Sequence, residues 1–207
     1  MDFLNTEVIP DNATLEMEGG WERVTQDVIE TVLMAVVLFL FINALTARIR
    51  VESISMEPTL IEDDFVLVYR LAYSLGEPER GDVVVFQYPP ETNQVPYIKR
   101  IIGLPGDTIK VEAGQVFING QPLEEPYLKV PTNRGGEWVV PLGSIFVMGD
   151  NRNNSSDSRV FGPVPIEDVM GKALVVYFPP EHWQMMTGAF DDAGAEDPGA
   201  AATASTP

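Results

Sequence analysis

Ser53-Ile54-Ser55-Met56-Glu57-Pro58-Thr59-Leu60 and Tyr97-Ile98-Lys99-Arg100 hold a hydroxyl nucleophile and an amine able to serve it. A serine hydroxyl attacks a carbonyl poorly until a base removes its proton. Histidine is the usual base, but the one histidine, His182, stands beside Trp183 and near Pro180, a setting that reads as surface or packing. Carboxylates could serve in principle; lysine is the better candidate. Of four lysines, Lys110, Lys129 and Lys172 lie in polar or edge-like settings, whereas Lys99 is embedded in Tyr97-Ile98-Lys99-Arg100-Ile101-Ile102. An ammonium in apolar surroundings loses hydration, which disfavours its charged form and lowers its pKa from about 10.4 by several units. Arg100 beside it stays protonated and cannot act as a base. Taken alone, a strand lysine more often snorkels or pairs with an acid, so the neighbouring motifs carry the weight.

Pro58 restricts Glu57 to extended conformations and favours an irregular segment at Ser55. Such a segment exposes the hydroxyl and leaves backbone N–H groups free to face a developing oxyanion, with Ser53 as a second donor. A third tract, Gly149-Asp150-Asn151-Arg152-Asn153-Asn154-Ser155-Ser156-Asp157-Ser158-Arg159, reads as support. Ser155, Asp157 and Arg159 recur at every second residue, so an extended stretch would present them on one side. Asp157 and Arg159 can then pair, and the Ser155 hydroxyl can orient the Lys99 amine. In isolation the same tract also suits a solvated polar turn.

These residues need a scaffold, and the pattern after residue 47 is β. Segments 64–69, 82–86, 97–102, 108–112, 115–118, 138–140, 144–148 and 174–178 are short, rich in β-branched residues and bounded by turns. Asn119-Gly120 predicts a type I′ hairpin before Gln121. Alternation puts Lys99 on one strand face with Tyr97 and Ile101, and Arg100 on the other with Ile98 and Ile102. The expected fold is mainly β, an antiparallel folded sheet or partial barrel, preceded by one transmembrane helix.

That helix is expected over 28–47, whose centre, 32–42, is uncharged and apolar on every face. About 20 such residues span a hydrocarbon core of roughly 30 Å. No short basic leader precedes it and no clear small-residue cleavage site follows, which favours a retained anchor over a cleaved signal. The resulting division is an acidic tail 1–27, the anchor 28–47, a β-rich catalytic domain 48–186 and a disordered acidic tail 187–207. Only Arg23 lies close before the span, whereas Arg48 and Arg50 follow it, so loop charge alone would put the domain in the cytoplasm.

The chain of 207 residues has no cysteine, which excludes disulfides, thiolate catalysis and cysteine zinc sites. One histidine cannot build a multi-histidine metal centre, and no metal or other cofactor is implied. The net charge is −18, but ten of the acids lie in 1–22 and 187–207, leaving −8 for the middle. With no basic stripe, nucleic acid is not an expected partner.

Four motifs in order, S-x-S-M-x-P-T-L at 53–60, G-D-V-V-V-F at 81–86, Y-I-K-R-x-x-G-L-P-G-D at 97–107 and G-D-N-R-x-N-S-x-D-S-R at 149–159, resemble the bacterial type I signal peptidases. The resemblance runs from the anchor to about Phe178. It implies a membrane-bound Ser/Lys serine endopeptidase that removes leader peptides from exported precursors after small residues, at A-x-A-like sites. It implies Ser55 as nucleophile, Lys99 as general base, and Ser53 with the Ser55 N–H as oxyanion hole. Ser155, Asp157 and Arg159 would buttress the lysine. By position, Val51, Met56, Leu60, Tyr97 and Ile98 would line small substrate pockets. Asn153 stands where an aspartate is frequent, at a position with no assigned chemistry. The implied partners are signal peptides, the lipid bilayer and the secretion translocon. The implied place is the plasma membrane, single-pass, with the catalytic domain extracytoplasmic, against the arginine count. An inactive leader-binding protein and a self-cleaving Ser/Lys protease are the rival readings.

Overall fold

The computed structural model describes residues 13–87 and 95–186. Both expected tails fall largely outside those residues. The chain divides into two compact units, 1–44 and 45–207.

In the first unit, helix α1 runs Ala13–Leu45, and its stretch Arg23–Leu45 has a mean hydropathy of 2.5, long and apolar enough to cross a membrane. The expected anchor ended at residue 47. Instead the helix stops at Leu45, and strand β1, Thr46–Arg50, starts at the next residue. Ala47 and Ile49 pack against the domain core. An apolar run looks alike in lipid and in a packed strand, so the boundary is invisible until β1 finds its partner.

That partner is β2, Phe65–Tyr69, in register Thr46↔Tyr69 to Arg50↔Phe65. The second unit continues with α2 (Ala72–Leu75), β3 (Val83–Phe86), β4 (Tyr97–Gly103), β5 (Thr108–Glu112), β6 (Gln115–Ile118), β7 (Gln121–Pro122), β8 (Gly136–Val139) and β9 (Ser144–Met148). Then come α3 (Ser158–Phe161), β10 (Val164–Pro165), β11 (Val169–Phe178) and β12 (Gln184–Met185). The architecture is mainly β and antiparallel throughout. The larger sheet has the order β1-β2-β11-β3-β4-β9-β10, with β12 added to β11; the smaller has β7-β6-β5-β8. Among the described residues the only α-helices after α1 are single turns of four residues, with three 3-10 turns beside them.

The strands follow their side chains. In β2 the buried residues alternate, Val66 and Val68 pointing into the core. All four residues of β3 are buried, because both of its faces are covered: Val83 and Val85 pack with Val66, Ile98 and Val176, while Val84 and Phe86 pack with Ile101 and Val147. Burying each such side chain stabilises the fold by roughly 1.5–3 kcal/mol. At the β6–β7 hairpin, Asn119 and Gly120 both have positive φ, 50° and 85°, as a type I′ turn requires. Strand β4 is central to the larger sheet, paired with β3 (Val84↔Lys99) and with β9 (Arg100↔Met148). It therefore carries Lys99 into the interior.

Candidate active site

Ser55 sits in a 3-10 turn, Ile54–Met56, between extended Ser53 and Glu57. Two neighbours bolt this irregular loop to the core: Met56 and Leu60 are fully buried beside Val51 and Ile98. The loop ends are tied together by Val51 N–H donating to Asp64 O at 2.8 Å and Asp63 N–H to Val51 O at 2.9 Å. The hydroxyl is thereby presented on a fixed backbone. Ser55 O accepts from Asn151 N–H at 3.0 Å, and the Asn151 side-chain amide donates to Ile54 O at 3.1 Å. Among the described residues no acceptor takes the Ser55 N–H.

Lys99 is 2% exposed. Its Nζ lies 2.7 Å from Ser55 Oγ and 2.8 Å from Ile98 O. Burial pushes the amine down to about 8, against an opposing pull from the charges of Asp157 and Asp150. At pH 7 about a tenth of the molecules then carry the free amine. In that form Ser55 O–H donates to Nζ, which is the geometry of a base poised on a nucleophile. Ser53 Oγ is 3.1 Å from Ser55 Oγ, close enough for its hydroxyl to serve an oxyanion formed there.

Asp157 and Arg159 do pair, but not across an extended stretch. Asp157 caps α3 and accepts from Arg159 Nε at 2.8 Å and Nη2 at 2.7 Å, with Arg159 in the first turn of that helix. Burial alone would raise the Asp157 carboxyl; the hydrogen bond and charge of Arg159, with the Gly149 N–H, overcome it and hold the group below the ordinary carboxylate range. Ser155 Oγ is buried against Gly149, and no hydrogen bond among the described residues joins it to the Lys99 amine. It lies beside the pair, where its hydroxyl helps to hold the Asp157 carboxyl down.

Gly149 is where the two tracts meet. A methyl group there would overlap both Ser155 Oγ and Ser55 O. Gly149→Ala is expected to lower kcat/KM of a reaction at Ser55 by about a hundredfold through displacement of that residue. It should also destabilise the domain by about 1–3 kcal/mol, which a thermal melt read beside the kinetics would detect.

The rest of 149–152 is held by buried ions that sequence reasoning passed over. Arg100 Nε and Nη2 reach Asp150 at 2.9 and 2.6 Å, and Nη1 donates to Gly81 O at 2.9 Å. The Tyr127 ring covers the Arg100 guanidinium at 4.3 Å. Arg152, 1% exposed, donates from Nε to Gly149 O at 3.1 Å and pairs with Glu125. The signal for Arg100 was an arginine inside an apolar strand, which demands a buried partner. Glu125 and Tyr127 gave no local signal, since they act 25 or more residues away in sequence.

Ile49, Val51, Ser53, Tyr97, Ile98 and Lys99 belong to the walls of a cleft of about 530 Å³. Val51, Tyr97 and Ile98 thus border it, whereas Met56 and Leu60 are fully buried and lie behind it as core. His182 is engaged elsewhere, its Nδ1 2.7 Å from Asp64 Oδ1.

Residues 25–178 match the family model described as signal peptidase, peptidase S26. The chain is 44% identical over 160 residues to signal peptidase I of Leptolyngbya laminosa, covering 73% of this chain and 78% of that protein. It is 41% identical over 172 residues to the probable signal peptidase I-1 of Synechocystis sp., covering 79% and 87%. To the probable signal peptidase I-2 of the same organism it is 38% identical over 198 residues, covering 92% and 89%.

Proposed function

We propose, because this chain belongs to the signal peptidase family, peptidase S26, that Ser55 and Lys99 are the nucleophile and base with which it removes signal peptides from exported precursors. The observation that carries the proposal is the 2.7 Å approach of an almost fully buried amine to a serine hydroxyl.

The neutral Lys99 amine takes the Ser55 proton as Oγ attacks the carbonyl carbon of the scissile bond. The resulting oxyanion is met by the Ser55 N–H and the Ser53 hydroxyl. As the intermediate collapses, the Lys99 ammonium passes its proton to the leaving amine, and an ester remains on Ser55. Water then loses a proton to Lys99 and attacks that ester. Ser55 recovers its proton from Lys99 as the carboxylic acid departs. The cycle closes with the amine neutral and needs no metal. Ser155, Asp157 and Arg159 act as positioning residues through Gly149.

The leader side of the substrate lies in the cleft bordered by Val51, Tyr97 and Ile98. Ile49 and Arg50, on its wall, follow Leu45 by at most five residues, about 17 Å of extended strand. Small residues at the A-x-A positions suit this cleft because its floor is closed by core side chains.

Helix α1 anchors the chain once in the plasma membrane, with lipid and the secretion translocon as neighbours and the β domain outside the cytoplasm. The arginines after the span carry less topological weight than their number suggests. Arg48 and Arg50 open the long β domain in strand β1, and long domains translocate largely regardless of their charge, the positive-inside bias being one of short loops. Since the chain has no cysteine, Leu142→Cys, at an 87% exposed position, provides a single label site. It should react with a membrane-impermeant maleimide on intact cells; reaction only after lysis would reverse the topology.

The activity is tested with detergent-solubilised protein and a precursor bearing an A-x-A site. Product masses should place the cut directly after the last alanine. An intact precursor that still binds would identify an inactive leader-binding protein. Cleavage of the enzyme alone would identify a self-processing one.

A further inference from the structure

A second cleft, of about 570 Å³, borders the nucleophile loop and is assigned nothing by the mechanism above. Its walls include Glu57, Ile61, Lys129, Val130, Asn151 and Asn154. Two of these bind it closely to the reacting serine. Glu57 is two residues beyond Ser55, and Asn151 donates from its backbone N–H to Ser55 O. The first cleft instead contacts the loop on its other flank, through Ser53 and the 49–52 segment. Ser55 stands between the two in the chain.

A peptide cut at Ser55 must extend in both directions from the scissile carbonyl. If the leader fills the cleft at 49–53 and 95–99, as the proposed function holds, the downstream residues leave past Glu57 and Asn151. We infer that the second cleft binds the first residues of the mature chain, and that Glu57 sets a charge preference there. Asp150 also faces this cleft, but its carboxylate is consumed by Arg100 at 2.6 Å. Glu57 is half-buried and has no ion-pair partner among the described residues. Lys129 lies at an exposed position, where water screens it. The less screened charge is the carboxylate, so the cleft favours a cationic or uncharged side chain over an acidic one. Ile61 and Val130 supply apolar surface for the peptide backbone to cover.

The test uses the full chain in detergent and three precursors with one leader and one A-x-A site. They differ only at the second residue after the scissile bond, which is Lys, Gln or Glu. The wild type should cleave them with kcat/KM in the order Lys, Gln, Glu, a spread of about fivefold, shrinking at about 1 M salt. Glu57→Gln should bring the Lys/Glu ratio close to one, and Glu57→Lys should invert it. These are ratios within one protein preparation, so a general loss of activity in a variant does not disturb them. Equal cleavage of all three by the wild type overturns the inference and leaves the proposed function standing. A ratio that Glu57→Gln leaves unchanged overturns it as well. Failure of the wild type to cleave any of the three removes the proposed function and this inference with it.

Discussion

Lys99→Met is expected to leave a folded domain whose precursor cleavage is lower by about four orders of magnitude or more. Methionine has the length to fill the space of a buried lysine. Among the described residues the amine also makes no ion pair that would be orphaned: its contacts are Ser55 Oγ, Ile98 O and, at 5.5 Å, the Tyr97 ring. Stability should therefore change little, while the only amine within reach of the Ser55 proton among the described residues is gone. Ser55→Ala should give the same loss, since nucleophile and base act as one unit. The double variant should be no worse than either single one. Single-turnover cleavage followed by product mass, with a melt for each variant, separates chemistry from folding. Retention of more than about one part in a hundred of the activity by folded Lys99→Met would assign the base to another group.

Asp150→Ala should give the largest loss of stability, about 3–5 kcal/mol. The Arg100 and Asp150 side chains are 2% and 0% exposed and share two hydrogen bonds. Removing the carboxylate leaves a guanidinium in the core that cannot lose its proton. Its remaining partners, Gly81 O, Thr59 Oγ1 and the Tyr127 ring, do not neutralise it. For a domain of this size the melting temperature should fall by roughly 10–15 °C. Activity should fall beyond the loss of folded protein, because Asn151, next in the chain, holds Ser55 O. A double variant with Arg100→Met should recover part of the stability. A shift within about 2 °C for Asp150→Ala would show that water reaches the pair.

Much of the site could be read from the chain because its chemistry is local. A lysine flanked by Ile98 and Ile101 has few ways to stay hydrated, and a proline three residues after a serine marks an irregular loop. The hairpin at Asn119-Gly120 was legible for the same reason, as a two-residue turn carries its own backbone demand. What escaped depends on partners distant in sequence. Thr46 and Ala47, which open strand β1, look like the end of the apolar helix until Tyr69 and Val68 pair with them. The first half of β11, around Met170-Gly171-Lys172, lacks alternation; Gly171 is there so that the Tyr69 carbonyl can approach. Asp157 and Arg159 pair as foreseen, yet through a helix cap, since side-chain charge fixes the partner and not the backbone path. Met56 and Leu60 follow Ser55 in sequence but point inward, where their burial holds the loop in place.

One lysine should titrate far below its ordinary value, and a chain with four lysines makes that directly measurable. With carbon-13 at the lysine ε position, the spectrum of the detergent-solubilised chain should contain four signals, one of them deleted by Lys99→Met. That signal should titrate with a midpoint near 8, well below the range in which an ordinary lysine loses its proton. The free amine is the reactive form, so kcat/KM should rise about tenfold per pH unit below that midpoint and level off above it. A Lys99 signal that titrates at 10 or higher, with cleavage unaltered between pH 6 and 9, would contradict the account.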